Sequence, residues 1–287
     1  MNNTFIYDKV NETLFEELEK GNIPWKKPWK TGLPINFVSK REYGGWNWWM
    51  LLIIQESKGY QSNMWGSFKQ IKDNGGTVKK GEKSTMVYFW KIYEVHNPLK
   101  SAEKGKMVFD KIPLLRYYNV FNLDQTEGIK LKDNERVQVD IPEADTLIET
   151  YSKKEARIQY GRPQAFYSPK EDYINLPHRE TFTDDNEFYC TAFHEITHST
   201  GHEKRLNRIG ERDEYNHTFG SEDYSKEELI AELGASYLCA KTGILPNVVK
   251  NNAAYIRGWL KALKNDRTLL LSAAGKAQRA TEFILKV

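Results

Sequence analysis

Cysteine is scarce in this 287-residue chain, which contains only Cys190 and Cys239. Each lies within an apolar helical pattern, and two such residues cannot provide the several cross-links that stabilise a small secreted domain. We therefore expect no disulfide framework and a reducing, cytoplasmic environment.

Long apolar runs are also missing. The longest, Trp48 to Ile54, has seven residues, whereas a membrane-spanning helix needs about 18 or more. Acidic residues crowd the first segment of the chain, so we expect no signal peptide and no membrane partner. With 39% hydrophobic and 28% charged residues, the composition is typical of a globular protein, and the length suits two domains.

Charge is divided unevenly along the chain. Residues 1–135 contain 21 lysines and arginines against 16 acidic residues, whereas residues 136–287 contain 21 against 23. Between Lys26 and Lys91, twelve basic residues accompany four acidic ones, and seven of the eight tryptophans precede residue 91. This asymmetry indicates that the two halves have different functions.

Hydrophobic periodicity predicts an α+β protein with two domains. We expect an N-terminal α+β nucleic-acid-binding module over residues 1–125, a polar linker over 126–140 and a second domain over 141–287. The helices predicted are 8–20, 47–58, 65–74, 142–154, 185–200, 226–241, 248–264 and 268–285. The strands predicted are 85–95 and 114–121 around a loop at 97–106, and 165–167 and 173–176.

The segment from His194 to His198, with Glu195 after the first histidine, predicts a metal site. On a helix, residues four apart project from one face, so both imidazoles can bind a single ion. Imidazole nitrogen suits Zn²⁺, and a catalytic zinc has three protein ligands with a fourth position for water. Glu195 is placed to accept the proton of that water and to pass it to a leaving amine.

The third ligand is less certain from the sequence. In one class of metalloprotease it is a histidine ten positions after the first, but that position is Lys204 here, and the direction of His202 is undetermined. Glu228 and Glu232 share a face of the predicted helix over 226–241, and Glu228 is favoured. If Ser225 instead caps this helix with Glu228 as its capping-box partner, Glu232 becomes the ligand.

Two further features of the second half bear on catalysis. A peptidase needs a polar group to stabilise the oxyanion, for which Tyr224, His202 and His217 are candidates. The strand over 173–176 precedes the motif helix and is followed by Pro177, which suits an edge strand. It could therefore pair with an extended peptide substrate, or simply form the outermost strand of the sheet.

Basic and aromatic residues alternate in the first half, as they do in proteins that bind single-stranded nucleic acid by neutralising phosphates and stacking bases. Trp49, Trp65 and Trp90 lie in apolar patterns, so we expect them in the core. Trp46 and Trp48 flank the same glycine pair as Tyr43. The residues predicted to contact nucleic acid are Trp25, Lys26, Lys27, Trp29, Lys30, Arg41, Tyr43, Lys79, Lys80 and Lys83.

Taken together, these segments resemble the ArdC family of antirestriction proteins from conjugative plasmids and mobile elements. The resemblance is carried by residues 21–29, 59–60, 65–70, 75–83, 118–122, 194–202, 205–208 and 227–235. It implies a single-stranded-DNA-binding domain joined to a zincin-like metallopeptidase domain that protects incoming DNA from host restriction.

The resemblance also bears on the metal site. In glutamate zincins the first acid of a Glu-x-x-x-acid helix binds the metal, which would be Glu228, and the second, Glu232, positions a ligating histidine. Zn²⁺ is the expected ion, with Mn²⁺ as an alternative. A protein substrate or a host restriction component is a further expected partner. The alternative function is a DNA-binding protein whose metal is structural, without proteolysis.

Overall fold

The computed structural model describes residues 4–23, 33–129, 144–209, 222–244 and 253–287. Within these residues no helix has the length and apolar character needed to cross a lipid bilayer. The helices are α1 (Thr4–Glu19), α2 (Trp46–Lys58), α3 (Phe68–Asp73), α4 (Pro98–Lys104), α5 (Ala144–Lys154), α6 (Asp185–Ser199), α7 (Glu222–Lys241), α8 (Ala253–Asn265) and α9 (Leu269–Ile284). The strands are β1 (Ile35–Asn36), β2 (Met64–Ser67), β3 (Thr77–Val78), β4 (Thr85–His96), β5 (Phe109–Asn122), β6 (Thr126–Glu127), β7 (Arg157–Tyr160), β8 (Phe166–Ser168) and β9 (Tyr173–Leu176).

The larger N-terminal sheet has the strand order β1-β2-β5-β4. Its edge is a long antiparallel hairpin in which β4 pairs with β5 without interruption from Thr85 opposite Val120 to His96 opposite Phe109. Short α4 occupies the connection that we expected to be a loop. The mixture of helices and sheets confirms the α+β class.

Two predicted boundaries in this half are wrong. The helix expected over 65–74 begins only at Phe68, because Ser67 and Gln70 form a capping box that starts α3 there and leaves β2 extended. Residues 126–127, expected in the linker, form β6, which pairs with β3. Ile129 packs close to Gly76, so this segment still belongs to the first module. Residues 130–140 of the predicted linker and the first residues of the predicted second domain, 141–143, lie outside the described residues.

The second half contains a three-stranded sheet in the order β7-β9-β8. Strand β7 had no counterpart among the predicted strands, and it pairs in parallel with β9. All four residues of β9 are therefore buried at the centre of the sheet, so the expectation of an edge strand over 173–176 is wrong. Among the described strands, β7 and β8 form the two edges of this sheet, and β8 runs antiparallel to β9.

Helix α7 is buried on opposite sides and joins the two halves. On one side Leu229, Leu233 and Tyr237 belong to a core shared with α1, α2 and α9. On the other, Leu238 and Cys239 belong to the core beneath the three-stranded sheet and α6. Helix α7 therefore contributes to two cores, one shared by both halves and one formed by residues of the second half alone.

A glycine pair forms part of this junction. A Cβ on Gly44 would lie 2.6 Å from the end of the Gln278 side chain of α9, so the glycine and this side chain are in close contact. Tyr237 donates a hydrogen bond of 2.6 Å to the carbonyl of Gly45. Trp48 packs on Tyr237 with ring centroids 4.7 Å apart. The segment before α2 is therefore a packed contact between the halves.

Candidate functional site

The motif helix begins where its capping signals place it. The Asp184 side chain accepts a hydrogen bond of 3.0 Å from the Glu187 amide, which satisfies one of the free donors of the first turn. The apolar face of α6, including Phe193 and Ile196, is fully buried. Because that face is fixed in the core, the opposite face presents His194 and His198 together.

The two imidazoles converge with a carboxylate from α7. His194 Nε2 and His198 Nε2 lie 3.1 Å apart. Glu228 places Oε1 3.1 Å from His198 Nε2 and Oε2 3.5 Å from His194 Nε2. Among the described residues this is the cluster able to hold an ion, with all three ligand atoms within 4.8 Å of one another. Two imidazoles and a carboxylate are the donor set of a three-ligand catalytic zinc site.

Close packing of α6 against α7 brings these groups together. A Cβ on Gly234 would lie 2.5 Å from Thr197 Cγ2, so the helices approach more closely than a larger residue would allow. Helix α7 begins at Glu222, three residues before Ser225. Ser225 is therefore inside the helix and cannot cap it, which removes the capping explanation for Glu228. Glu232 lies one turn further along α7, outside the ligand cluster found among the described residues, and its positioning role stays a prediction.

Electrostatics within the cluster follow from burial. Burial of the His198 ring opposes its charge, but the carboxylates of Glu227, Glu228 and Glu195 raise the pKa of His198 to about 10. Burial opposes the charge of Glu228 as well, yet both histidines hold the pKa of its carboxyl well below the usual range. Glu195 is itself 9% exposed.

A second carboxylate, Glu227, was missed by the sequence reasoning. Its Oε1 lies 3.8 Å from His198 Nδ1, the nitrogen that faces away from Glu228. Arg208 donates a hydrogen bond of 2.7 Å to Glu227 and one of 3.0 Å to the Thr197 carbonyl. Second-layer groups of this kind orient a ligating histidine. The adjacent acidic pair Glu227-Glu228 could have indicated a second carboxylate at the site. The orientation of α7 in the structure shows that Glu228 faces Nε2 of His198 and Glu227 faces Nδ1.

A buried ionic network holds the C-terminal end of α6. Arg205, with 2% of its side chain exposed, forms an ion pair with Asp172. Arg205 Nε also donates a hydrogen bond of 2.7 Å to the Ser199 carbonyl. Tyr167 donates one of 2.9 Å to Asp172. His202 Nδ1 lies 3.7 Å from Asp172, so His202 belongs to this network and is not part of the ligand cluster.

The remaining groups considered for catalysis are placed as follows. Sγ of Cys190 lies 3.1 Å from Sγ of Cys239 in the interface between α6 and α7. His217 and the side chain of Tyr224 lie outside the described residues. No oxyanion group is therefore assigned from the residues that the structure describes.

The predicted nucleic-acid residues separate into three groups. Trp25, Lys26, Lys27, Trp29 and Lys30 lie outside the described residues. Arg41, Lys79, Lys80 and Lys83 are exposed, as phosphate contacts require. Tyr43 is only 7% exposed, so its expected role as an open stacking platform is wrong.

The reason for the burial of Tyr43 lies in its neighbours. Asn36 donates a hydrogen bond of 3.2 Å to its hydroxyl, and the adjoining Gly44 and Gly45 are packed against α9 and α7. Trp46 and Trp48, which flank the same glycines, are buried too. Trp49 and Trp65 are core residues as expected, but Trp90 is 51% exposed, because β4 extends beyond the core at that point.

Comparison with known proteins defines the class first. Residues 142–276 match the family model described as a zincin-like metallopeptidase, and residues 4–121 match that of the N-terminal domain of the anti-restriction factor ArdC. The protein thus has two domains, the second of them zincin-like, which confirms the predicted organisation.

Solved structures define the family. The metal-free crystal structure of antirestriction protein ArdC from plasmid R388 is 34% identical and superposes with a TM-score of 0.77, covering 98% of this chain and 96% of that one. The Mn(II)-bound structure gives 34% identity, a TM-score of 0.78 and coverages of 98% and 97%. The chain belongs to the ArdC family of antirestriction proteins.

Relatives known by sequence include longer proteins. Two DNA primases TraC from Escherichia coli are each 32% identical over 97% of this chain, which spans 27% and 20% of their lengths. The uncharacterized protein y4eC of Sinorhizobium fredii (strain NBRC 101917 / NGR234) is 29% identical over 98% of this chain and 92% of its own length. The family region therefore occurs both in a protein of similar length and as part of larger ones.

Proposed function

We propose that this protein is a mobile-element antirestriction factor that binds single-stranded DNA and holds a divalent metal, Zn²⁺ by preference, in a peptidase-like centre. The observation that carries the metal-centre proposal is the convergence of His194, His198 and Glu228, with ligand atoms within 4.8 Å of one another. Membership of the ArdC family supports the antirestriction role.

The donor set suits the proposed ion. Zn²⁺ favours imidazole nitrogen and carboxylate oxygen, and three protein ligands leave a further position for water. The R388 relative has been crystallised with Mn(II), and imidazole–carboxylate sites accept several divalent ions. A metal bound here would supply Lewis acidity toward a water and a substrate carbonyl.

The side chains around the ion have distinct roles in this proposal. His194, His198 and Glu228 bind the metal, and the Glu227 carboxylate, held by Arg208, orients the His198 ring from its Nδ1 side. Glu195 accepts the proton of the attacking water and delivers it to the leaving amine. Its place on α6 directly after the ligand His194 supports this role, since a general base must lie within reach of the proton that it accepts.

The test compares Glu195→Gln with His194→Ala. Glu195→Gln keeps all three ligands, so we expect wild-type metal content and DNA affinity, with hydrolysis lowered by about 10²–10⁴-fold. Protection is measured as the transfer frequency of a plasmid into restricting hosts relative to non-restricting hosts. Loss of protection in Glu195→Gln supports the hydrolytic function.

The competing function, a structural metal without proteolysis, gives the opposite pattern. In that case Glu195→Gln protects as well as wild type, whereas His194→Ala lowers the melting temperature and loses protection because the fold is weakened. This outcome would leave the antirestriction and DNA-binding roles standing and remove the hydrolytic one.

A further inference from the structure

Among the described residues of the first half, several exposed aromatic side chains lie together on the hairpin of β4 and β5: Phe89, Trp90, Phe109, Tyr117 and Tyr118. From Phe89 to His96 every residue of β4 is exposed or half-buried. The facing part of β5 is equally open except at Leu115, which is 3% exposed. The hairpin therefore projects beyond the core, and both of its faces are exposed.

The register divides these residues between two faces. Side chains alternate along a strand, and directly paired residues of an antiparallel pair share a face. Phe89 pairs with Arg116, Lys91 with Leu114, Tyr93 with Ile112 and Val87 with Tyr118. We call this side the basic–aromatic face; it carries Phe89, Lys91, Tyr93, Arg116 and Tyr118 together with the exposed apolar residues Ile112 and Leu114.

Cations and rings are interleaved on the basic–aromatic face. Lys91 Nζ lies 5.0 Å from the centroid of the Tyr93 ring, and the Arg116 guanidinium lies 5.9 Å from it. Phe89 and Tyr118 form an edge-on pair with centroids 5.8 Å apart, and they are 42% and 39% exposed. The only acid further along this face, Asp110, is paired with Lys100 at 2.8 Å.

The opposite face of the hairpin differs in charge. It carries Trp90 and Ile92, which are 51% and 60% exposed. Its Lys111 lies opposite Glu94, with Nζ and Oε1 3.9 Å apart, so positive charge there is balanced. Only the basic–aromatic face combines open rings with cations that have no carboxylate directly across the strand pair, which is the chemistry that complements a polyanion of stackable bases.

We propose that the basic–aromatic face binds single-stranded DNA, with bases stacked on Phe89, Tyr93 and Tyr118 and phosphates paired with Lys91 and Arg116. The inference rests on the proposed DNA-binding function and gives it a location. The exposed Lys79, Lys80 and Lys83 precede β4 at the base of the same strand, and they supply phosphate contacts at that end. A basic surface with open rings that tolerate any base predicts salt-sensitive binding without sequence preference.

The test uses a matched pair of double variants of the full chain. Phe89→Ala/Lys91→Ala removes one ring and one cation from the basic–aromatic face, and Trp90→Ala/Lys111→Ala removes one of each from the opposite face. Binding of a fluorescein-labelled oligo(dT) of about 20 nucleotides, long enough for the usual footprints, is followed by fluorescence anisotropy over a salt series.

We expect the first variant to bind at least about fivefold more weakly, from the loss of one stacked base. Its slope of log K against log salt should decrease by about 0.7, from the loss of one phosphate contact. The opposite-face variant should stay within twofold of wild type. Both should keep the wild-type melting temperature, since all four side chains project from the core.

The DNA-binding function, its location and the choice of face would each be contradicted by a different result. If wild type does not bind the oligonucleotide, the DNA-binding function itself is wrong. If wild type binds and the Phe89→Ala/Lys91→Ala variant binds equally well, the function stands but this location is overturned. Equal losses in both variants would overturn the choice of face.

A second measurement avoids substitutions. Wild-type protein is irradiated with an oligonucleotide containing 5-iododeoxyuridine, and the attached peptides are identified by mass spectrometry. Adducts at Phe89, Tyr93 or Tyr118 are expected. Adducts confined to other aromatic residues would contradict the assignment.

Discussion

The metal cluster buries charged side chains, whereas the hairpin exposes aromatic ones. At the cluster, charged groups are buried and surrounded by partners: Glu227 and Arg208 have 11% and 7% of their side chains exposed and lie 2.7 Å apart. On the hairpin, aromatic groups that usually pack into a core are open to solvent, with Trp90 51% exposed. Buried charge requires local partners, whereas an exposed ring has no such requirement from the fold.

The metal cluster is therefore part of the packed core, whereas the surface of the hairpin lies outside the core. The three proposed metal ligands are brought together by the contact between α6 and α7, so we expect stability and metal binding to be coupled there. On the proposal above, the hairpin residues contribute to DNA binding but little to stability. Substitutions in the two regions should therefore separate these properties.

The largest effect is expected from a matched pair of tryptophans. Trp49→Ala should lower the free energy of unfolding by about 3–5 kcal/mol, because it opens a cavity in the shared core, where Trp49 is 0% exposed. Trp90→Ala should change it by no more than about 0.5 kcal/mol. Urea unfolding followed by circular dichroism measures both. Similar losses in the two variants would show that the hairpin is packed and not open.

The next effect concerns the ionic network at the end of α6. Asp172→Asn leaves the Arg205 guanidinium buried without its counterion and should cost about 3 kcal/mol at neutral pH. Although burial favours the neutral acid, hydrogen bonds from Arg205 and Tyr167 hold the pKa of Asp172 below its ordinary value of 3.8.

The lowered pKa of Asp172 determines how the stability difference between wild type and Asp172→Asn changes with pH. A carboxyl with a depressed folded-state pKa stabilises the protein fully above its unfolded pKa, and that stability is lost as pH falls through the folded value. The difference between wild type and Asp172→Asn should therefore be constant above about pH 5 and shrink below about pH 4. Unfolding measured from pH 7 downward tests this; a difference that grows on acidification would contradict it.

The smallest effect is expected at two helical glycines, where replacement by alanine should change the free energy of unfolding in opposite directions. Gly234→Ala should destabilise by about 1–3 kcal/mol through overpacking, because its Cβ would lie 2.5 Å from Thr197. A Cβ on Gly275 in α9 would meet nothing within 4 Å, so Gly275→Ala should stabilise by about 0.5–1 kcal/mol. Melting temperatures of the two variants should move in opposite directions. A rise for both would mean that α6 and α7 are not in close contact.

The sequence predicted the candidate metal cluster better than the proposed DNA surface for a physical reason. A spacing of four residues on a helix fixes the relative position of two imidazoles, which is a local property. The choice between Glu228 and Glu232, which share a face of α7, depends instead on how α7 packs on α6. Glu227 escaped notice because its role depends on Arg208, which reaches it from a separate segment.

Burial of aromatic residues is not a local property. Tyr43 was misjudged because the side chains that pack on the adjoining Gly45, Tyr237 and Gln278, lie 192 and 233 residues from it in the chain. Trp90 was misjudged for the converse reason: the apolar alternation of β4 continues after the core has ended. The burial of β9 depended on β7, whose sequence includes the polar Arg157 and Gln159 and has no apolar run to mark it as a strand.

The most direct test of the account is metal binding by isothermal titration calorimetry on wild type, Glu228→Gln and Glu232→Gln. We predict a single Zn²⁺ per wild-type chain. Changes in groups around metal ligands typically cost about 10–100-fold in affinity, so Glu228→Gln should exceed that loss and Glu232→Gln should not. Wild-type affinity in Glu228→Gln, or a greater loss in Glu232→Gln, would contradict the assignment of His194, His198 and Glu228 as the metal ligands.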